Sequence, residues 1–303
     1  MREIPVFWVS EVVTDGLIEH IALKEVITQH RSRFQEIFIA ETVPFSRCLF
    51  IDGKIQSSLL DEHIYHEVLV HPASVIHGRP REVLIIGGGE GGVLREVLRW
   101  RSVEAATMVE IDADVVDLCK RYMPELNNGA FNDPRSRLSI DDGRKYLEGL
   151  PDDSLDLIIV DATDPVEGGP SLRLYSEEFY ELASRRLRDG GVLVTQATSV
   201  VHNVFVYRSI LKTISKVFRE VVPLSAFIPS FSSLWGFVIG SLKPIPRLGP
   251  DDINKTLIDR GVSGLRFYSG ETHQVIVQVA KSYLDAIPSG WRVIRDNEPI
   301  TIP

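Results

Sequence analysis

The spacing of hydrophobic residues changes near position 80 of the chain. Before that point, residues 34–39 alternate in part and residues 47–51 form a short apolar run, which is typical of β-strands. The dipeptide Asp52-Gly53 after the second run predicts a two-residue hairpin turn. From Glu82 onward, short apolar runs alternate with helical stretches, and this change predicts crossover units and a mainly parallel sheet.

The same pattern places the individual elements of the second part. We expect parallel strands near residues 82–87, 105–111, 137–141, 155–161 and 191–196, and helices over 93–100, 177–187 and 204–218. Two further strands, 220–227 and 234–242, are joined by a connection too short for a crossover helix, so they should pair antiparallel. The predicted fold is α/β: a Rossmann-like, doubly wound sheet of the methyltransferase type with a small N-terminal β-domain.

This pattern divides the chain into three segments. We predict an N-terminal β-strand domain over residues 1–60 and a Rossmann-like catalytic domain over 61–243. Residues 244–303, rich in Pro and Gly at first, should form a C-terminal appendage packed on the catalytic domain.

Composition narrows the range of partners. The 303 residues are 44% hydrophobic, and the apolar runs are far shorter than the ~20 residues that a membrane helix needs, so we expect no membrane partner. The N-terminus lacks an apolar signal core, and Cys48 and Cys119 do not form a disulfide framework, so we expect a cytoplasmic protein. A net charge of -9 disfavours a nucleic-acid partner and suits a cationic small molecule, although many proteins are acidic only for solubility.

A glycine-rich loop at residues 87–92 follows the first parallel strand and precedes a helix. Gly87 and Gly89 allow a tight turn and a close approach of the backbone to a ligand. Glu90 lies where a pyrophosphate would otherwise bind. Its carboxylate and a pyrophosphate a few ångströms apart would repel each other by an energy on the order of several kcal/mol. The loop therefore suits a cationic or neutral group, such as a sulfonium nucleoside that bears an amine.

Acidic residues at the next two strand ends suit the rest of a nucleoside. Glu110 stands about 20 positions after the glycines, where a carboxylate can accept both ribose hydroxyl hydrogen bonds. The alternative is that this acidic pair only caps the following helix, a role that fits Asp112 better than Glu110. At the third strand end, Asp142 and the backbone of Gly143 can contact an adenine ring, and we favour Asp142 over its neighbour.

Two carboxylates follow the fourth strand. Asp161 and Asp164 should lie at the carboxyl edge of the sheet, where such folds bind ligands, although one of them could be a cap or turn residue before Pro165. An amine is protonated in water and must lose a proton before it attacks carbon, so this chemistry needs both a base and a cation anchor. A sulfonium is already a good leaving group, so we expect neither a metal nor a covalent intermediate. The histidines between residues 62 and 71 lack the spacing of a zinc protease helix.

These motifs stand in the order found in the polyamine aminopropyltransferases, the spermidine synthase family, which the chain resembles over roughly residues 20–242. The matching segments are 34–35, 52–57, 61–67, 87–92, 110–112, 142–143 and 161–165. The resemblance implies a homodimer or homotetramer, decarboxylated S-adenosylmethionine as co-substrate without any other cofactor, and a small polyamine as the second substrate.

The resemblance also implies roles for individual residues, and the strand-end carboxylates named above receive the same roles from it. Asp161 is similar to the catalytic base. Donor contacts are expected from Gln35, Gly87, Gly89, Glu90, Glu110, Asp142, Gly143 and Pro170. Acceptor contacts are expected from Tyr65, His66, Glu90, Asp161, Asp164, Glu167, Gln196, Phe231 and Trp235. The charge of Glu90 should also oppose the carboxylate of intact S-adenosylmethionine.

Three departures from the family pattern favour a longer acceptor. Glu90 replaces a usual aspartate, Phe231 stands where a tyrosine helps to hold putrescine, and the stretch that begins at Asp164 is longer than usual, which resembles thermospermine synthases. We therefore favour spermidine, giving thermospermine or spermine, with spermidine synthesis or agmatine transfer as alternatives. Two rivals of other classes are an S-adenosylmethionine-dependent amine methyltransferase and a non-catalytic polyamine-sensing subunit.

Overall fold

The computed structural model describes residues 7–285 and 291–302 of the chain. Residues 1–6, 286–290 and 303, on which parts of the predicted N-terminal and C-terminal segments fall, lie outside the described residues. The first sheet is an antiparallel meander of β1 (Phe7–Thr14), β2 (Leu17–Arg31), β3 (Glu36–Thr42), β4 (Ser46–Ile51) and β5 (Lys54–Ser58).

Local polar groups set the limits of these strands. Asp52 and Gly53 both have positive φ, 48° and 78°, which confirms the predicted two-residue turn between β4 and β5. The strand expected from residue 34 begins only at Glu36, because the Ser32 hydroxyl accepts the backbone N–H groups of Phe34 and Gln35 in a turn. Side-chain capping of this kind competes with strand pairing.

The second part alternates helices and strands. It contains α1 (Glu62–His77), β6 (Glu82–Gly87), α2 (Gly92–Leu98), β7 (Ala105–Glu110), α3 (Ala113–Tyr122), α4 (Pro124–Asn127), β8 (Ser136–Ile140), α5 (Gly143–Glu148), β9 (Leu155–Asp161), α6 (Glu177–Arg186), β10 (Leu187–Ser199), α7 (Val204–Val217), β11 (Glu220–Ile228) and β12 (Ser233–Ser241). The seven strands are ordered β11-β12-β10-β9-β6-β7-β8, with β12 antiparallel to both of its neighbours and the remaining pairs parallel. The predicted Rossmann-like sheet with an antiparallel end is therefore confirmed.

Adjacent strands β6 and β9 mark the point where the strand order reverses. The chain runs from β6 through β7 to β8 on one side, and from β9 to β10 on the other. Gly87 pairs in register with Asp161, so the carboxyl ends of these two strands lie side by side. Ligands of doubly wound folds bind in the crevice at such a switch point.

Both faces of the large sheet are covered. Along β6, Val83 and Ile85 face one core with α1 and α2, whereas Leu84 and Ile86 face a second core with α6 and α7. Burial on both faces explains why the central strands are continuous apolar runs in the sequence. The five-stranded sheet packs on this domain through a third cluster in which Ile37 of β3 meets α3.

Two helices follow the sheet, α8 (Pro250–Asp259) and α9 (Gly270–Asp285), and α9 packs against β11. Residues 291–302 then return to the large sheet as an irregular segment, and Ile294, Ile300 and Ile302 enter its second core. Within the described residues, no helix is long and apolar enough to cross a membrane.

Strand β10 differs from its prediction. It extends from Leu187 to Ser199 rather than over 191–196, because it pairs with β9 at Leu187 and, after an irregular stretch that contains Gly190 at φ 83°, again from Val192. A polar, glycine-containing interruption of this kind carries no strand signal. The predicted range, residues 191–196, corresponds to the central part of the strand, which pairs regularly with β9 and β12.

Candidate active site

A cavity of about 710 Å³ opens at the carboxyl ends of β6, β7, β9 and β10, beside the five-stranded sheet. It is lined by most of the residues that the sequence nominated: Gln35, Tyr65, Gly87, Gly89, Glu90, Glu110, Asp142, Gly143, Asp161, Asp164, Glu167, Pro170, Gln196, Phe231 and Trp235. The fold thus brings together residues that are up to 200 positions apart in the chain.

The start of the glycine-rich loop fits closely around Asp161. Gly87 and Gly88 have positive φ, 85° and 72°, and a Cβ on Gly87 would stand 2.2 Å from the Asp161 carbonyl oxygen. The Gly88 N–H donates to that oxygen at 3.0 Å. Glycine is therefore required here both for the backbone conformation and for the approach of β6 to β9.

Asp161 has the environment of a proton acceptor. The Tyr65 hydroxyl donates to its Oδ1 at 2.6 Å. Burial and the negative charge of Glu90 raise the pKa of Asp161 to about 7, against the opposing effects of His66 and the Tyr65 hydrogen bond. A carboxyl group with a pKa near neutrality can take a proton and release it at physiological pH.

Asp164 lies on the irregular loop after β9, residues 162–171, which we call the β9 loop. The side-chain amide of Gln196 donates to Asp164 at 3.2 Å and to the Tyr175 hydroxyl at 2.6 Å. Burial raises the pKa of Asp164 to about 6, while the Gln196 hydrogen bond and the charge of Lys54 act in the opposite direction. Asp164 is therefore a second, separately held carboxyl group in the same cavity.

Glu90 is held in place by a hydrogen bond with His66. His66 is 1% exposed and does not line the large cavity; it lies behind Glu90, with Nε2 at 2.9 Å from Glu90 and Nδ1 at 2.6 Å from Glu62. The structure thus gives His66 a supporting position behind Glu90, and its expected contact with the acceptor stays a prediction. The sequence showed that a histidine was near the site, but not which layer it occupies.

The His66 network determines its charge. Burial alone would lower the pKa of His66, but its hydrogen bonds to Glu62 and Glu90 outweigh this and raise the pKa to about 10. Arg95 extends this chain of hydrogen bonds by donating to Glu62 at 2.7 Å. His66 therefore carries a proton on both nitrogens and orients Glu90 toward the cavity.

This protonation bears on metal binding. His66, Glu90 and Asp161 offer atoms within 4.8 Å of one another, a spacing that could hold an ion. A doubly protonated imidazole has no lone pair for a metal, so in this hydrogen-bonded state His66 is not a ligand and the group presents carboxylate oxygens. Another histidine of this helix, His71, forms a hydrogen bond with Glu96 at 3.0 Å inside the core and does not join this group.

One side of the cavity is formed by residues at the end of β7 and just before β3. Asp112 caps α3 by accepting the Asp114 N–H at 3.1 Å, and its other oxygen accepts from Gln35 at 3.0 Å. Glu110 remains on the cavity wall, and burial raises its pKa to about 7, despite a hydrogen bond from the Asp112 N–H. The two acidic residues thus divide the roles, with Asp112 as the cap and Glu110 facing the cavity.

Asp142 combines two positions. Its Oδ1 accepts the Lys145 N–H at 3.0 Å as the N-cap of α5, and the residue also lines the cavity. A Cβ on the following residue, Gly143, would stand 2.2 Å from a methyl carbon of Ile86. The start of α5 is therefore pressed against β6, which brings the backbone of Gly143 to the cavity.

An aromatic wall faces Asp161. Tyr65 lies 5.9 Å from Phe231 and Phe231 lies 4.8 Å from Trp235, measured between ring centroids. Phe237 is fully buried behind Tyr65 at 5.2 Å, so it belongs to the core, whereas Trp235 lines the cavity. Aromatic faces beside carboxylates suit an alkylammonium chain.

Sequence reasoning missed several residues of the N-terminal sheet that line the cavity, three charged ones among them. Glu11 of β1 and Glu19 of β2 are cross-strand partners, and Lys54 follows the hairpin turn. Burial raises the pKa of Glu11 to about 7, opposed by a hydrogen bond from the Ile55 N–H. A single acidic residue in a short strand gives no signal, because its approach to the cavity depends on how the two sheets pack.

Fold and site together define a class: a Rossmann-like protein with a cavity at the switch point of its sheet, lined by several carboxyl groups and bordered by aromatic rings. The chain matches the Spermine/spermidine synthase domain over residues 62–247 and the Spermidine synthase tetramerisation domain over residues 7–58. It is 41% identical to the polyamine aminopropyltransferase of Aeropyrum pernix, covering 98% of this chain and 95% of that protein. It is 40% identical to polyamine aminopropyltransferase 2 of Hyperthermus butylicus, covering 100% and 99%.

Solved structures agree with these relatives. A spermidine synthase crystallised with the transition-state analogue AdoDATO superposes with a TM-score of 0.85 at 29% identity, covering 95% of this chain and 99% of that chain. The spermidine synthase of Thermotoga maritima gives a TM-score of 0.83 at 28% identity, covering 95% and 98%. The chain belongs to the spermine/spermidine synthase family of aminopropyltransferases.

Proposed function

We propose that the protein transfers the aminopropyl group of decarboxylated S-adenosylmethionine to a polyamine, with spermidine as the favoured acceptor and thermospermine or spermine as the product. The observation that carries this proposal is that Glu90, Asp161 and Asp164 line one cavity together with Glu110. A nucleoside bearing a sulfonium and a primary amine, next to a polycationic acceptor, matches that distribution of acidic groups.

The transfer step needs one base and no cofactor. The acceptor nitrogen gives a proton to Asp161 and forms a bond to the aminopropyl carbon beside sulfur. The carbon–sulfur bond breaks, its electron pair stays on sulfur, and 5′-methylthioadenosine leaves as a neutral thioether. Asp161, with a pKa near 7, is matched to this proton transfer, and orientation of the nitrogen in line with sulfur contributes to the rate as well.

The donor is held at both ends in this proposal. Glu110 accepts the ribose hydroxyls, Asp142 and Gly143 contact the adenine, and Gln35 borders the same side of the cavity. Glu90, oriented by His66, faces the end where intact S-adenosylmethionine carries a carboxylate. Repulsion between two carboxylates at short distance supports selection of the decarboxylated donor and argues against methyl transfer.

Acidic groups beyond Asp164 support an acceptor longer than a diamine. Glu167 of the β9 loop and the pair Glu11 and Glu19 line the same cavity as Asp164 and the aromatic wall. A triamine places an additional ammonium group beyond the two that a diamine offers. Several separated carboxylates therefore favour spermidine over putrescine.

We also propose that the protein works as a homodimer or homotetramer through its N-terminal sheet. The match to a tetramerisation domain covers this sheet. Its first hairpin exposes several large apolar side chains, namely Phe7, Trp8, Val12, Leu17 and Ile18. Apolar surface of this extent on a small sheet is typical of an interface between subunits.

Product analysis tests the proposed reaction. The purified chain is incubated with decarboxylated S-adenosylmethionine and, separately, with putrescine, agmatine, norspermidine or spermidine, and products are separated by chromatography against standards. We expect spermidine to be consumed fastest, with equimolar 5′-methylthioadenosine. Transfer to a different amine would correct the acceptor, and methylated amine formed from intact S-adenosylmethionine would replace the assignment by a methyltransferase.

An Asp161→Asn variant tests the assignment of the base. We expect turnover to fall by about 10²-fold or more while the affinity for 5′-methylthioadenosine is unchanged, since the amide cannot accept the proton. Asp117→Asn, an exposed position on α3, is the matched control and should keep wild-type turnover. Equal turnover of Asp161→Asn and wild type would remove Asp161 as the base.

A further inference from the structure

Residues 291–302, which we call the tail segment, border the cavity from the side of the β9 loop. The Ile302 N–H donates to the Pro165 carbonyl oxygen at 2.9 Å, and Ile302 forms a parallel bridge with Val166. Ile302 itself is buried and lines the cavity. The end of the chain thus supplies part of the cavity wall.

Asp296 connects the tail segment to the start of α5, on the side of the cavity proposed for the nucleoside. Its two carboxylate oxygens accept from both terminal nitrogens of Arg144, each at 2.7 Å, and one also accepts from the Ser176 hydroxyl at 2.6 Å. Arg144 follows Gly143 in the first turn of α5 and donates to the Arg173 carbonyl oxygen at 3.2 Å. A bidentate pair of this kind fixes the orientation of the Asp296 carboxylate relative to the Arg144 guanidinium, as well as the distance between them.

The first half of the tail segment is anchored independently of the β9 loop. The Ile294 N–H donates to the Thr213 hydroxyl on α7 at 2.9 Å, and the Ile294 carbonyl accepts the Glu177 N–H at 2.8 Å. The β9 loop, by contrast, contains neither helix nor regular strand, although it carries Asp164, Glu167 and Pro170. A firmly held segment therefore pairs with an irregular one.

We propose that the tail segment is a positioning element for the β9 loop, with Ile302 and Asp296 holding the loop and the start of α5 in the arrangement that binds the donor nucleoside. This inference rests on the proposed function, because it assumes that the nucleoside occupies this side of the cavity. Binding equilibria are reciprocal, so nucleoside binding must in turn stabilise the docked tail segment.

Two variants and one control test the proposal. Asp296→Asn removes the charge that faces Arg144, and deletion of residues 300–303 removes the pairing with the β9 loop. Both should weaken 5′-methylthioadenosine binding in calorimetry and raise the donor KM, each by about tenfold, with kcat within about twofold of wild type. Glu298→Gln, an exposed carboxylate in the same segment, should change neither quantity.

A measurement on the unaltered protein covers the case in which a variant does not fold. Hydrogen–deuterium exchange of residues 291–302 should slow when 5′-methylthioadenosine is added, while exchange of α8 stays unchanged. Unaltered exchange in the tail segment, or wild-type nucleoside affinity in both folded variants, would overturn the positioning role. A wild-type protein that binds no nucleoside at all would instead contradict the proposed function.

Discussion

Asp161 and Asp164 are three residues apart in the chain but have different partners. A phenol hydroxyl holds Asp161, whereas an amide holds Asp164, and the charge of Glu90 acts on the first. Both pKa values are raised by burial, to about 7 and about 6. The sequence predicted the pair from its position after a buried strand, but not which carboxyl group would be the more basic.

Replacing Tyr65 should therefore move the pH dependence of the reaction. The Tyr65 hydroxyl stabilises the charged form of Asp161 and so lowers its pKa, and Tyr65→Phe removes that effect. The pKa of Asp161 rises, and the acidic limb of the kcat/KM profile should shift to higher pH, by up to about one unit. Steady-state kinetics over the pH range measures this shift with the same amine substrate for both proteins.

The control for Tyr65 is another buried tyrosine. Tyr180 is fully buried in α6 and does not line the cavity, so Tyr180→Phe should leave the profile in place. A profile of Tyr65→Phe that coincides with wild type, or moves to lower pH, would show that the hydroxyl does not act on the base.

At the scale of elements, prediction from sequence succeeds where a residue's place follows from its own strand. Glu110 and Asp161 end parallel strands, so their arrival at one sheet edge follows from periodicity and topology alone. Glu11 and Ile302 reach the cavity only because a separate sheet and the end of the chain pack there. The depth of His66 was not predictable for the same reason, since how deeply a helical residue is buried depends on what packs against the helix.

A buried carboxylate of α1 contributes to the attachment of the C-terminal helices. Glu67 is 1% exposed, and its oxygens accept three successive backbone N–H groups, those of Arg266, Phe267 and Tyr268, at 2.8 to 2.9 Å. Since α1 also carries Tyr65 and His66, this connection couples the position of α8 and α9 to the helix that forms the site. Sequence patterns do not reveal it, because the partners are backbone groups about 200 positions away.

We predict that Glu67→Gln destabilises the protein by about 2 kcal/mol. The amide keeps one acceptor oxygen but turns donor hydrogens toward backbone donors, and hydrogen bonds to a charged acceptor contribute about 1.5–3 kcal/mol. Chemical denaturation measures the loss, and hydrogen exchange should increase first in α8 and α9. Glu181→Gln, exposed on α6, is the control, and equal stability of both variants would contradict the coupling.

For the molecule as a whole, acidic groups are concentrated in the cavity of a chain that already carries a net charge of -9. Glu11, Glu110 and Asp161 have pKa values raised to about 7, and that of Asp164 is raised to about 6, in each case chiefly by burial. These groups hold protons in the folded state up to a higher pH than in the unfolded chain. Their contribution to stability is therefore complete below about pH 4 and is lost as the pH rises through 6 to 7.

A polyamine should reverse that loss, because its ammonium groups bind the ionised carboxylates. In the presence of saturating 5′-methylthioadenosine, we expect spermidine to raise Tm more at about pH 8, where the carboxyl groups are ionised, than at about pH 5.5, where they hold protons. Thermal unfolding followed by fluorescence gives both shifts, with sodium chloride at equal ionic strength as the control. Spermidine carries at least as much positive charge at pH 5.5 as at pH 8, so a larger shift at pH 8 reports the ionisation of the protein's own groups. A larger shift at the lower pH would mean that spermidine binding does not depend on ionisation of the cavity carboxyl groups. The acidic cavity would then not be the acceptor site.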